Sequence, residues 1–186
     1  MLTLWAGTGQ WVAAIIKANA ELERMQALMK GVAKGTDSSR TAQANKDLAY
    51  TIDLAQKAPF SINAIGDSMV KLRSAGLDAT KMMGSLTNAV AAFGGNDDTL
   101  KRATIALQQM AGKGVVSMEE LRQQLGEAVP TAMALMARGL GVSMAELTKK
   151  VSTGTVEATS ALVAMTNEME QEYKGSAIAM MSTGRV

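Results

Sequence analysis

The stretch KGVVSMEELRQQLGEAVP, residues 113–130, contains the signals that end one helix and begin the next. Part of it recurs as LGVSMAELTKKV, residues 140–151. Both copies fit the pattern S-x-x-E, in which the serine and glutamate side chains each bond a backbone N–H group of the first helical turn. The sequence therefore predicts a helix start at each serine.

The serine and glutamate pairs are Ser117 with Glu120 and Ser143 with Glu146. Two apolar residues flank each pair and form a hydrophobic staple, which fixes the direction in which the chain enters a helix. The staples are Val116 with Leu121 and Val142 with Leu147. The spacing between the copies is not sustained along the chain, so we interpret them as two helix starts and not as a solenoid repeat.

An alternative interpretation makes Glu119 and Glu120 an acid and base pair. Adjacent residues point to different sides of a helix, and no neighbouring group in the sequence would separate their pKa values. The pattern therefore favours a helix start, and we predict no catalytic residue here.

The composition excludes several classes of site. The 186 residues are 47% hydrophobic but only 3% aromatic, and they include 15 Met, no Cys and no His. Without thiols and imidazoles, the usual zinc sites and the catalytic triads that need histidine are excluded. The net charge of +2 is too small for a basic nucleic-acid module. A core of Ala, Leu, Val, Ile and Met remains, and Met makes such a core adaptable.

Apolar residues recur at spacings of three and four almost throughout the chain, which indicates helices. Gly next to an apolar residue and a capping side chain marks the end of one helix and the start of the next. Pro59 ends a helix, and Pro130 lies in the first turn of another. The predicted helices are 12–33, 40–57, 61–74, 78–92, 97–111, 117–127, 130–138, 143–151 and 155–173. The predicted fold is all-α, a compact array of short-to-medium helices with tight turns capped by Gly and Ser.

We predict three parts from these breaks. Residues 1–40 hold an N-terminal helix and a polar linker, GVAKGTDSSR at 31–40. Residues 41–175 form the helical domain, and residues 176–186 begin a following segment that is cut short. Trp5 and Trp11 are expected to dock on the core or on an upstream segment.

The first 20 residues predict neither a membrane span nor a signal peptide. Gly, Thr and Gln interrupt the apolar run, and Lys17 ends it short of the ~20 residues that a span needs. A signal peptide would also carry Lys or Arg ahead of a long apolar region, and this sequence does not.

Three further motifs have structural explanations. GTGQ at 7–10 lacks the second half of a dinucleotide fingerprint, so we predict no phosphate site there. GNDDT at 95–99 lacks the glutamate that a calcium loop needs at its twelfth position, so Asn96 or Asp97 is expected to cap a helix. Lys149 and Lys150 complement the dipole at a helix end. We therefore predict no catalytic residues, cofactor or metal.

The ordered set of motifs in AQKAPFSINAIGDSMVKLRSAGL, residues 55–77, and in residues 82–156 resembles the N-terminal domain of phage and prophage tail tape measure proteins. The motifs in the second stretch are an aromatic-Gly-Gly break, I-x-L-x-Q-M-x-x-K-G-x-V, E-x-L-R-Q-x-x-E-A-V-P and G-V-S-x-x-E-L. EYKGSAIAMMSTGRV, residues 172–186, looks like the start of the family's next segment. Relatives often carry an aromatic residue near the turn at 74–77, and this chain carries none.

The resemblance implies a structural virion protein that lies in the tail lumen, sets the length of the tail tube during assembly and leaves the tube so that DNA can pass. It implies assembly in the host cytoplasm, with assembly chaperones, tube protein and tail-tip proteins as partners. Self-association is also expected. A measuring rod needs long uninterrupted helices, because a helix rises ~1.5 Å per residue. The frequent breaks therefore predict a compact region that flanks the rod.

Two other functions stay open at this stage. The first is a segment associated with a cell-wall hydrolase, which would use two of the carboxylates Glu119, Glu120 and Glu127 across a sugar cleft. The second is a stand-alone helical adaptor or secreted effector with a Met-lined binding groove.

Overall fold

The computed structural model describes residues 4–183, and the regular structure in this range is helical. The helices are α1 (Leu4–Val32), α2 (Asp37–Lys57), α3 (Ile62–Ser74), α4 (Ala79–Ala92), α5 (Asp97–Lys113), a π turn (Glu119–Gln124), α6 (Leu125–Ala128), α7 (Ala132–Gly139), α8 (Met144–Ser152), α9 (Ala158–Tyr173) and α10 (Ser176–Thr183). The all-α prediction is confirmed.

Polar side chains begin the helices, as the sequence predicts. Ser61 Oγ accepts a hydrogen bond from Ala64 N at 3.1 Å, and Asn96 Oδ1 accepts one from Thr99 N at 3.0 Å. Such side chains satisfy N–H groups that have no partner inside the helix. At the other end, α5 stops at Gly114, whose φ of 76° is a left-handed conformation that a side chain would disfavour.

The structure differs from the prediction near both ends of the chain. Helix α1 begins at Leu4 and runs to Val32, and α2 begins at Asp37, so the connection is residues 33–36 and not the predicted linker 31–40. Thr36 explains the early start of α2, because its side chain accepts a hydrogen bond from Ser39 N at 3.3 Å. Helix α10 lies in a segment where the sequence predicts no helix.

The core is one cluster with α4 at its centre. Helix α4 packs against α9, α10, α3, α5 and α2, while α1 lies on α2 and α3, and α7 lies on α9. Nine methionines are buried in this cluster: Met25, Met29, Met69, Met82, Met83, Met110, Met136, Met165 and Met169. Flexible Met side chains fill the space between helices that offer few aromatic residues.

Some predictions concern residues that the structure does not test. The side chains of Trp5, Trp11 and the GTGQ motif at 7–10 lie outside the part of the chain whose side chains are described. The division into 1–40, 41–175 and 176–186 also stays a prediction.

Candidate functional site

The two serine and glutamate phrases begin helices in different ways. At the second phrase, Ser143 Oγ accepts a hydrogen bond from Glu146 N at 3.1 Å, which confirms the predicted cap. The Glu146 carboxylate lies 3.8 Å from Lys150 Nζ, one turn further along α8. The serine half of the predicted pairing is therefore made at α8.

At the first phrase, the predicted serine cap is wrong. The Ser117 carbonyl accepts a hydrogen bond from Leu121 N at 3.0 Å, so the helix does begin where the sequence predicts. The Ser117 hydroxyl, however, is buried and has no hydrogen-bond partner among the described residues. The predicted staple residues Val116 and Leu121 are both buried in the core.

Glu120 is a buried carboxylate, with 3% of its surface exposed. One oxygen, Oε1, accepts a hydrogen bond from Lys113 Nζ at 2.5 Å, and the other has no partner in the described structure. The hydrogen bond to Glu120 raises the pKa of Lys113, and desolvation of the ammonium opposes this effect. Because Lys113 is the last residue of α5, the contact fastens the end of α5 to the π turn.

The π turn itself is a rare backbone conformation. Leu125 N donates to the Glu120 carbonyl, five residues back, where an α-helix would use Leu121. The chain just before the turn is held by two backbone bonds: Val116 N donates to the Val156 carbonyl at 2.9 Å, and Ala158 N to the Gly114 carbonyl at 3.0 Å. Just after it, Val129 is fully buried. A turn of this kind holds about one residue more than an α-helical turn.

The three candidate carboxylates do not converge on a cleft. Glu119 and Glu127 line a shallow pocket of about 230 Å³, where Arg102 Nη1 lies 3.4 Å from Glu127 Oε2. Glu120 does not line this pocket, since it is buried against Lys113. The rest of the lining is Ile105, Gln123 and Gln124. A sugar cleft would usually offer an aromatic platform, and this pocket offers none.

The remaining motifs act as the sequence predicts or have no ligand geometry. Asn96 caps α5, and Asp97 Oδ1 accepts a hydrogen bond from Ser61 N at 2.9 Å, which ties the start of α5 to the residue before α3. Lys150 pairs with Glu146. Within residues 4–183 there is no group of three acidic side chains placed to hold a metal ion.

A groove with methionine walls lies beside the π turn. It has a volume of about 350 Å³ and is lined by Leu121, Arg122, Gly126, Pro130, Met133, Met144 and Thr148. Met144 is 46% exposed. Among the side chains that the structure describes, the other large exposed apolar ones lie elsewhere in the chain: Leu28, Phe93, Val115 and Ile178. Phe93 makes an edge-to-face contact with Tyr173, with ring centroids 5.5 Å apart.

The sequence interpretation missed a buried ion pair. Asp47, on α2, is 2% exposed, and its carboxylate accepts hydrogen bonds from Arg73 Nη2 at 2.6 Å and from Arg73 Nε at 3.1 Å. Gln43 Nε2 donates to the same carboxylate at 2.8 Å. The signal that could have revealed Asp47 is its place between Ala44 and Thr51, at helical spacing on the buried face of α2.

Across residues 4–183, the structure contains no helix with the length and apolar content that a bilayer crossing requires.

Comparison with known proteins identifies the family. Residues 13–185 match the family model described as tape measure protein. A stretch of 81 residues is 37% identical to the probable tape measure protein of Salmonella phage Felix O1, isolate Felix O1-VT1, and it spans 44% of this chain and 11% of that relative. No solved structure matches the chain. Since the family match covers almost the whole sequence, the chain belongs to the tape measure protein family.

Proposed function

We propose that this chain is a structural segment of a phage tail protein that takes part in tail assembly and in the determination of tail length. We further propose that it is a compact body beside the measuring rod and not part of the rod. The family match over residues 13–185 supports the first statement. The second rests on one observation: α2 to α10 fold back onto a single core around α4.

The geometry disfavours a measuring role because a helix adds ~1.5 Å of length per residue only while it continues in one direction. After α1, the longest helix is α2, with 21 residues, and each helix packs against earlier or later ones. Adding residues to such a body changes its volume much more than its length.

The proposed partners are further copies of the chain, tail assembly chaperones, tube protein and tail-tip proteins. The proposed location is the tail lumen after assembly and the host cytoplasm before it, with departure from the tube when DNA passes. Support for self-association comes from α1: residues 17–21, 23 and 24 are exposed, Leu22 is half-buried, and Met25 is the first buried side chain among the described ones of this helix. Residues 4–16 of this helix include no charged residue.

Light scattering tests self-association. We expect the mass of the chain to rise with concentration, and we expect removal of residues 1–16 to leave a monomer. A full chain that stays monomeric at every concentration would argue against this part of the proposal.

We also propose that the segment has no enzymatic activity. Two observations support this view. Glu120 binds Lys113 and does not line the pocket of Glu119 and Glu127. That pocket has no aromatic residue in its lining. A peptidoglycan-degradation assay tests it with Glu119→Gln and Glu127→Gln. Activity that is present in the native chain and lost in either variant would revive the hydrolase alternative.

The length role is tested by an insertion into the protein as the phage encodes it. About 40 residues of heptad-forming sequence, inserted at the exposed turn of Gly154 and Thr155, would lengthen a rod by ~60 Å. We expect tails of unchanged length in electron micrographs, because the insertion projects from a compact body. Tails longer by the full ~60 Å would show that this segment measures length. The same insertion in a rod segment is the control.

A further inference from the structure

The start of the π turn contains two polar atoms that are buried without a partner. They are the Ser117 hydroxyl and the second carboxylate oxygen of Glu120. Unpaired buried polar atoms are few in native proteins, and each needs a specific explanation. Neither Ser117 nor Glu120 lines the pocket of Glu119 and Glu127 or the methionine groove.

The S-x-x-E pattern gives the Ser117 hydroxyl and the Glu120 carboxylate different partners from those in the structure. In S-x-x-E, the serine hydroxyl accepts from the backbone N–H of the glutamate, and the glutamate carboxylate accepts from the backbone N–H of the serine. The second copy shows that this chain uses the serine half of the pairing, between Ser143 and Glu146. In the first copy, Lys113 holds the Glu120 carboxylate, and the serine bond is not made.

Glu120 also supplies the carbonyl that defines the π turn, because it accepts the hydrogen bond from Leu125 N. One residue thus carries both the ion pair with Lys113 and the shifted backbone bond. If its side chain turned from Lys113 to Ser117, the first helical turn would be capped as in an ordinary α-helix. The natural acceptor for Leu125 N would then be the Leu121 carbonyl.

We propose that residues 113–128 form a two-state element. In the state described here, Lys113 binds Glu120 and the chain makes the π turn. In the second state, Ser117 and Glu120 pair with each other, Lys113 is released, and Leu125 N bonds to the Leu121 carbonyl. Leu125 and Ala128 stay in the core, and the residues ahead of them rotate.

The rotation would change the shape of the surface at the methionine groove. Leu121 and Arg122 of the π turn and Gly126 of α6 form one wall of this groove, while Met133 and Met144 belong to α7 and α8. A change of acceptor at Leu125 therefore moves one wall against the other. Any partner that draws Lys113 away from Glu120 would reshape the groove.

Nuclear magnetic resonance tests the proposal through scalar couplings across hydrogen bonds, which identify the acceptor of each backbone N–H. In the native chain, Leu125 N is expected to couple to the Glu120 carbonyl carbon. In Lys113→Met, the coupling is expected to move to the Leu121 carbonyl carbon, and the methyl signals of Met133 and Met144 are expected to shift while that of Met82 does not. Lys150→Met removes the lysine that pairs with Glu146 at the second phrase and should leave the Leu125 coupling unchanged.

A Leu125 coupling that stays with Glu120 in Lys113→Met overturns the proposal. If that variant does not fold because a buried carboxylate loses its partner, Glu120→Gln gives the answer. Glutamine is competent for the serine pairing but is a weaker partner for lysine, so this variant is also expected to move the coupling. Retention of the native coupling in Glu120→Gln overturns the proposal equally.

Discussion

Asp47 and Arg73 form the most buried ion pair of the described residues, with exposed side-chain fractions of 3% and 20%. Their two hydrogen bonds, of 2.6 and 3.1 Å, join α2 to the last turn of α3. Removal of one partner of such a pair is costly because the other charge keeps its desolvation penalty without the attraction. The pair is therefore expected to fix how these two helices meet.

We predict that Asp47→Ala lowers the free energy of unfolding by about 3 kcal/mol. The double variant Asp47→Leu with Arg73→Met should lose less than Asp47→Ala alone, since it leaves no unpaired charge. Chemical unfolding followed by circular dichroism measures both. A double variant as unstable as the single one would show that shape, and not charge, makes Asp47 important.

The two serines of the repeated phrase provide a matched pair. Ser143→Ala is expected to cost about 1 kcal/mol, because Ser143 caps α8. Ser117→Ala is expected to change stability by less than about 0.5 kcal/mol, because its hydroxyl has no partner to lose. Equal losses in the two variants, measured by the same unfolding experiment, would mean that Ser117 also caps its helix.

Glu157 caps α9 with its carboxylate, which accepts hydrogen bonds from Ser160 Oγ, Ser160 N and Thr159 N. The bonds from Ser160 come first among the causes that lower the pKa of Glu157 from 4.5 to about 2. A depressed pKa in the folded state means that the stabilisation is present above pH 4.5 and is lost as the pH falls towards 2.

We therefore predict a carboxyl titration near pH 2 for Glu157 by nuclear magnetic resonance. In Glu157→Gln, the loss of stability between pH 4.5 and pH 2 should be smaller than in the native chain. A Glu157 pKa close to 4.5 would contradict the capping geometry.

At the scale of helices, α7 packs tightly against α9 at Gly139. A Cβ atom at this position would lie 2.7 Å from the carbonyl oxygen of Ala164, which is backbone and cannot move aside cheaply. In contrast, a Cβ atom at Gly112, on the exposed side of α5, would have no atom within 4 Å. Alanine substitutions at the two glycines therefore distinguish the effect of a close helix contact on stability from the effect of helix propensity.

Gly139→Ala is expected to destabilise the fold by about 1–3 kcal/mol through the clash. Gly112→Ala should stabilise it by about 0.5–1 kcal/mol, because alanine favours the helical conformation. Thermal unfolding of the two variants provides the measurement. A stabilised Gly139→Ala would show that α7 and α9 are further apart than described.

Local signals in the sequence were sufficient for most helix boundaries. Ser61, Asn96 and Ser143 cap the predicted helices within the first turn, so that nearby residues alone determine the boundary. Helix α10 was missed because its cap comes from a distant element: Asn88 Oδ1 on α4 accepts a hydrogen bond from Ala177 N at 3.1 Å. The π turn was missed for a similar reason, since the contact of Glu120 with Lys113 is tertiary.

In the candidate site, too, the sequence predicts local features but not contacts between separate elements. The absence of His and Cys in the sequence is the basis for predicting neither a zinc site nor thiol chemistry. The sequence could not show that Glu120 is buried, or that Leu121 and Arg122 share a groove with Met133 and Met144. Those facts depend on how four separate elements meet.

At the scale of the whole molecule, compactness is the property on which the proposed role rests. The residues that follow α1 surround α4 with one continuous core of small and flexible apolar side chains. We propose that a body of this kind lies beside the measuring rod and does not itself add to the measured length.

Small-angle X-ray scattering of residues 1–186, at concentrations where light scattering reports one chain, tests this claim most directly. A compact chain of this length has a radius of gyration of about 16 Å, and the projecting part of α1 would add a few ångströms, on the scale of ~1.5 Å per residue. We predict a value close to this and a bell-shaped distance distribution with a short tail. A rod-like profile, approaching the ~280 Å length of a continuous helix, would contradict the account.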